Sequence, residues 1–119
     1  MYNKILYCLR RVDLALRKEK DLEFIKHCFV FGSVSKCCVH SESDIDLLII
    51  GTEPKSISLI SSINKILDKY NDSGIELDVK YYEISVFRSL RDSNVFLKSI
   101  EKDCIRLEDC FSELLRFCT

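Results

Sequence analysis

Asp44 and Asp46 stand two residues apart at the head of an apolar run, Leu47-Leu48-Ile49-Ile50. In an extended chain, residues i and i+2 point to the same face, about 7 Å apart at the backbone. Two carboxylates held there repel each other, and burying them unpaired is costly. A bound cation resolves the conflict. Mg2+, or Mn2+ in its place, favours carboxylate oxygens together with substrate phosphate oxygens. Two such ions about 4 Å apart activate an attacking hydroxyl and neutralise a leaving pyrophosphate. The bland alternative is a solvated loop end, and the Asp pair alone does not decide between the two.

Upstream, Gly32-Ser33 closes the apolar run His27-Cys28-Phe29-Val30-Phe31, with nine residues between Ser33 and Ser43. Glycine lets a backbone approach a phosphate closely, and the Ser33 hydroxyl is a donor. Exposed N–H groups at a following helix start would favour an anion. Alone, a Gly-Ser is more often an ordinary strand-to-helix turn with serine as cap. The two features strengthen each other if their strands run antiparallel, because both then lie at one edge of a sheet. Asp78 adds a third carboxylate, on a polar face with Glu76 and Lys80. Aimed at the pair, it could complete a metal's oxygen shell and accept the proton of an attacking hydroxyl. Otherwise it is a surface residue beside Lys80.

These residues need a scaffold, and the hydrophobic spacing outlines one. Residues 3–19 carry Ile5, Leu6, Leu9, Val12, Leu14 and Leu16 at roughly helical intervals. Strands are predicted over 27–31 and 44–50, the second apolar on both faces at its end, as in a covered central strand. Residues 33–38 have room for one or two helical turns. Ile57, Ile60, Ile63, Ile66, Leu67 and Tyr70 predict a helix over 56–70, broken by Asn71-Asp72-Ser73-Gly74. Residues 75–81 alternate with period two, a strand with one apolar face. Short helices are predicted over 85–90 and 94–102, a last short strand over 104–107, and a C-terminal helix over 109–118. The sum is an α/β (α+β) domain, a small mixed sheet flanked by helices, spanning 1–119 as one unit with 109–119 as a terminal helix.

Composition narrows the function classes. The 119 residues are 47% hydrophobic and 31% charged, enough for one compact core. Eighteen Lys and Arg against nineteen Asp and Glu leave a net charge of −1, which gives non-specific nucleic-acid binding no support. No apolar run reaches the ~20 residues of a membrane helix, and residues 1–18 lack the pattern of a signal peptide, so a cytoplasmic protein without membrane contact is expected. Seven cysteines, an odd number without a C-x-x-C pair, read as mostly buried thiols rather than a zinc site. The terminal stripe Phe111, Leu114, Leu115 and Cys118 packs on the sheet or meets a partner or a second copy.

Phe31-Gly32-Ser33 followed by Ser43-Asp44-Ile45-Asp46-Leu47-Leu48-Ile49 resembles the signature of polymerase β-type nucleotidyltransferases, and the chain's size resembles the minimal members of that superfamily. A weaker likeness continues through residues 96–108. The resemblance implies a polymerase β-like nucleotidyltransferase fold in which Ser33, with Gly32, contacts the triphosphate, Asp44 and Asp46 bind metal, and Asp78 is the third carboxylate. It implies ATP or another nucleoside triphosphate as substrate and Mg2+ or Mn2+ as cofactor. Minimal members are often antitoxins paired with a helical HEPN-type toxin, and some transfer AMP from ATP to a toxin tyrosine. One departure stands out: where the family commonly has a second glycine preceded by arginine, this chain has Cys37 preceded by Lys36. Lys36 offers phosphate a positive charge without the bidentate fork of arginine.

Three functions follow. The first is an adenylyltransferase-like antitoxin that modifies a hydroxyl of a partner protein, since the chain is short for a dedicated substrate domain. The second is a toxin that adds nucleotides to tRNA, with RNA as the acceptor, against which the near-neutral charge weighs. The third is a catalytically silent antitoxin that works by contact, for which Cys37 is the best support.

Overall fold

The computed structural model describes residues 2–31, 44–95, 97–98 and 104–110. The order of elements is α1 (Tyr2–Lys18), a short 3-10 turn (Lys20–Leu22), β1 (Ile25–Phe31), β2 (Ile45–Gly51), α2 (Ile57–Tyr70), β3 (Leu77–Glu83), α3 (Ile84–Leu90) and β4 (Ile105–Arg106). The strands form one mixed sheet in the order β3-β2-β1-β4. β1 runs antiparallel to both β2 and β4, whereas β2 and β3 are parallel, with α2 as the connection between them. A parallel pair requires such a crossover.

β2 is the central strand of the site-bearing half. Ile45, Leu47 and Ile49 are fully buried on one face, against α1 residues Ile5, Leu9, Val12 and Ala15 and α2 residues Ile63 and Leu67. That face collects the main core. Leu48 and Ile50 are buried on the opposite face, in a smaller cluster with Phe29, Phe31, Tyr82, Ile84, Phe87 and Cys104. The two-sided apolar end expected of this strand is therefore present, and the small mixed sheet with helices matches the expected fold class.

Local chemistry sets the boundaries. Ser56 caps α2, its hydroxyl accepting from the Leu59 N–H at 3.1 Å. Asn71 ends the helix, and its side chain donates to the Ile75 carbonyl while accepting from Ser73. Gly74 turns the chain with φ of +82°, a backbone conformation that favours glycine. The third strand lies two residues later than the period-two pattern over 75–81 suggested, because Glu83 ends it as the cap of α3. The Glu83 carboxylate accepts from the N–H groups of Ser85 and Val86 at 3.0 and 3.1 Å. The first strand begins two residues earlier than expected, since Ile25 pairs with Gly51 across a register irregularity ahead of His27. At Gly51 a Cβ would meet Phe24 Cδ2, the Phe24 carbonyl oxygen and the Tyr81 hydroxyl, each at 2.9 Å, so the glycine is required by close approach.

Residues 95, 97 and 98 are helical, with Asn94 accepting from the Leu97 N–H, and residues 107–110 are helical as well. The remainder of the helices expected over 94–102 and 109–118, and the turns expected over 33–38, lie outside the described residues. Among the described cysteines, Cys8 and Cys28 form no disulfide, and burial pushes the Cys28 thiol up to about 12. Cys37, Cys38 and Cys118 lie outside the described residues. No helix among the described residues is long and apolar enough to cross a membrane.

Candidate active site

The site begins where two strands start side by side. The Ile45 N–H donates to the Glu76 carbonyl at 2.9 Å, which fixes the parallel ladder of β2 and β3 at its entrance. From there the register pairs Asp46 with Asp78. Side chains of paired residues stand on the same face of a sheet, so the two carboxylates emerge together, on the face opposite the main core. On the other side of β2, Asp46 pairs with Phe31, the last residue of β1. The condition that β1 and β2 run antiparallel is thus met, and Asp46 sits at the end of the sheet at which β1 finishes with Phe31. Gly32, Ser33 and Lys36 themselves lie outside the described residues, so their expected contacts with a triphosphate are untouched by this geometry.

Electrostatics make the crowding visible. Asp46 is partly buried, and its carboxyl is pushed above its ordinary pKa. Burial is the largest cause; the Asp78 charge, a hydrogen bond with the Asp78 carboxyl and the Asp44 charge follow. Lys80 acts in the opposite sense. Its ammonium lies 3.4 Å from Asp78 Oδ1, both side chains being about half exposed. Lys80 is the group that sequence reasoning placed only as a neighbour. The signal was there, since Asp78-x-Lys80 has the same i, i+2 spacing that puts both side chains on the carboxylate face.

Of the three expected carboxylates, the fold brings Asp46 and Asp78 together. Asp44 precedes β2, is exposed, and reaches Asp46 through its charge. Among the described residues, no three His, Cys, Asp or Glu side chains are grouped closely enough to hold a metal ion as they stand. The donor chemistry nonetheless fits a hard divalent cation: two adjacent carboxylates, one of them disfavoured in its charged form by burial and then by the other, with a third nearby. Hollows occur elsewhere among the described residues. One of about 520 Å3 lies beyond the far end of β2 between Lys55, Tyr82 and Val86, and one of about 450 Å3 between Phe24 and α2. Neither is lined by the carboxylate pair.

Comparison with known proteins places this arrangement. The family model for polymerase β nucleotidyltransferases matches residues 13–107, a span that contains every described site residue. Among curated proteins, none matches the chain. Two solved structures share the fold over 92% of this chain and 85% of theirs. One is the crystal structure of a toxin–antitoxin with AMP-PNP, at 17% identity and a TM-score of 0.50. The other is the toxin–antitoxin MntA-HpeT in a mutant form with two aspartates, two positions apart, changed to glutamate, at 15% identity and a TM-score of 0.54. Because that match runs over most of its length, the chain belongs to the polymerase β nucleotidyltransferase family and is a nucleotidyltransferase.

Proposed function

We propose that this protein transfers AMP from ATP to a hydroxyl of a partner protein, in a metal-dependent reaction, as the antitoxin of a pair whose toxin is of the HEPN type. The observation that carries the reading is the register match of Asp46 with Asp78, which gathers negative charge at a sheet edge where a triphosphate and its cation have a reason to meet. A divalent ion bound there, Mg2+ or Mn2+, would neutralise the phosphates and the carboxylates together. Asp44, Asp46 and Asp78 are the residues that would hold it.

The chain's own groups divide the remaining work. Asp78 accepts the proton of the acceptor hydroxyl as its oxygen bonds to the α-phosphorus of ATP, and the bond to pyrophosphate breaks in the same displacement. Gly32 and Ser33 would cradle the phosphates through the backbone and hydroxyl, and Lys36 would add a positive charge. Toxin–antitoxin complexes among the structural relatives, one holding an ATP analogue, support the choice of nucleotide and of partner class. The mutant relative, altered at two aspartates two apart, supports attention to the Asp44-x-Asp46 spacing. Thiols that are unbridged among the described residues, together with a nucleoside triphosphate substrate, suit a cytoplasmic setting.

The test is incubation of the chain with labelled ATP, Mg2+ and the protein encoded beside it. Label is expected on that protein with wild type and not with Asp44→Ala or Asp46→Ala. Label on tRNA instead would replace the acceptor by RNA. Full toxin neutralisation by a triple alanine variant at Asp44, Asp46 and Asp78 would leave binding alone as the function.

A further inference from the structure

Lys80 is the charged neighbour of the pair that the proposed reaction does not use. It follows Asp78 by two residues on β3, on the same face, and its register partner on β2 is Leu48, whose own partner on β1 is Phe29. Its ammonium lies 3.4 Å from the Asp78 carboxylate, with both side chains about half exposed. Among the described residues it is the one cation whose charge opposes the crowding at Asp46.

We propose that Lys80 is a positioning residue that stands in for the divalent cation while the site is empty, holding Asp78 beside Asp46 and competing with the metal for it. This rests on the reading of Asp46 and Asp78 as metal ligands. Without a cation, two carboxylates in register would push each other apart, and the flexible stem of Lys80 lets its ammonium bridge that state. A divalent ion held by Asp46 and Asp78 would carry twice the charge and take carboxylate oxygens at shorter range, so the Lys80 ammonium would have to give up its place beside Asp78. The ammonium's presence has a cost in affinity for the first ion, because an existing ion pair must open and a like charge remains nearby.

The experiment is Mn2+ binding to the full chain without nucleotide, followed by the electron spin resonance of free Mn2+, beside thermal unfolding of the same samples in EDTA. In Lys80→Gln the competing charge is gone while length and polarity are kept. Its Mn2+ dissociation constant is expected to fall about two- to fivefold, the range of a half-exposed ion pair, and its unfolding temperature in EDTA to drop below wild type. Lys80→Arg keeps the charge and is expected to track wild type in unfolding. An unchanged or weakened Mn2+ affinity in Lys80→Gln, with wild type binding the ion, overturns the role given to Lys80 and leaves the metal site intact. Absence of Mn2+ binding in wild type overturns the metal site itself, and Lys80's role with it.

Discussion

The two faces of β2 are built from alternate residues of one strand and serve opposite ends. Ile45, Leu47 and Ile49 face α1 and α2 and are wholly buried. Asp46, Leu48 and Ile50 face the other way, and only the last two join an apolar cluster. On the first face the strand meets a cluster of apolar side chains among the described residues. On the second, the strand entrance sets Asp46 against Asp78, and the Asp46 carboxyl resists ionising. The difference teaches where the stability comes from that lets the site exist. Apolar burial on one side holds the register, and the register forces two like charges together on the other.

The sharpest way to break that comparison is to hollow the packed face. Ile49 is 0% exposed in the main core, on the face away from the carboxylates. Ile49→Ala is expected to lower unfolding free energy by about 2–5 kcal/mol, as large-to-small changes in packed cores do. Denaturant titration measures the loss. If the faces are separate, transfer activity per folded molecule stays near wild type at a temperature where both are folded. A loss of activity beyond the loss of folded protein would show that the core also tunes the site.

Gly51 tests the join between the faces, at the exit of β2. A Cβ there meets a backbone oxygen as well as the ends of two side chains at 2.9 Å, so the strand or the Phe24 segment must shift. Gly51→Ala is expected to cost about 1–3 kcal/mol by overpacking. Tyr81 would feel the shift, since its hydroxyl donates to the Glu53 carbonyl at 2.6 Å within the same turn. Farther out, Ser56→Ala removes the cap of α2 and is expected to cost about 1 kcal/mol. Because α2 carries the crossover that sets β3 beside β2, the cap variant should loosen hydrogen-exchange protection along α2 before it changes that of β1.

The parts of this molecule that were legible in sequence follow the same division. Helices α1 and α2 were legible because their apolar residues recur at helical intervals and nothing competes with that signal. β2 was legible because its end is apolar on both faces. Strand ends were less so: Glu83 closes β3 by capping α3, and Ile25 joins β1 only through a register irregularity, neither of which periodicity reports. The candidate site was legible only as types and spacing, Asp44-x-Asp46 with Asp78 on a polar face. What spacing could not give was the pairing of Asp46 with Asp78, which depends on how α2 returns the chain, nor the ion pair of Lys80 with Asp78, which depends on that pairing.

The smallest effect expected on stability is the most telling, because its sign is opposite to the others. A carboxyl whose pKa is higher in the folded state than in the unfolded chain binds its proton more tightly when folded. Its contribution to stability is present below the unfolded pKa and is lost as pH rises through the folded value. Asp46 is such a group, raised first by burial and then by its carboxylate neighbours. At neutral pH, without metal, its ionisation is therefore a burden on the fold. Asp46→Asn keeps the shape and removes that burden, along with one of the two charges facing each other across β2 and β3. In EDTA at pH 7 the variant is expected to unfold at a slightly higher temperature than wild type, by less than the cap substitution lowers it. The advantage should shrink as pH falls through the raised value of the folded Asp46 and vanish below the ordinary aspartate pKa, where wild type is protonated in both states, and transfer activity should be lost at every pH. Thermal unfolding from pH 3 to 8 measures it. A variant less stable than wild type at pH 7 would mean that Asp46 is held by favourable partners in the metal-free chain, and that the two faces of β2 are both built for stability.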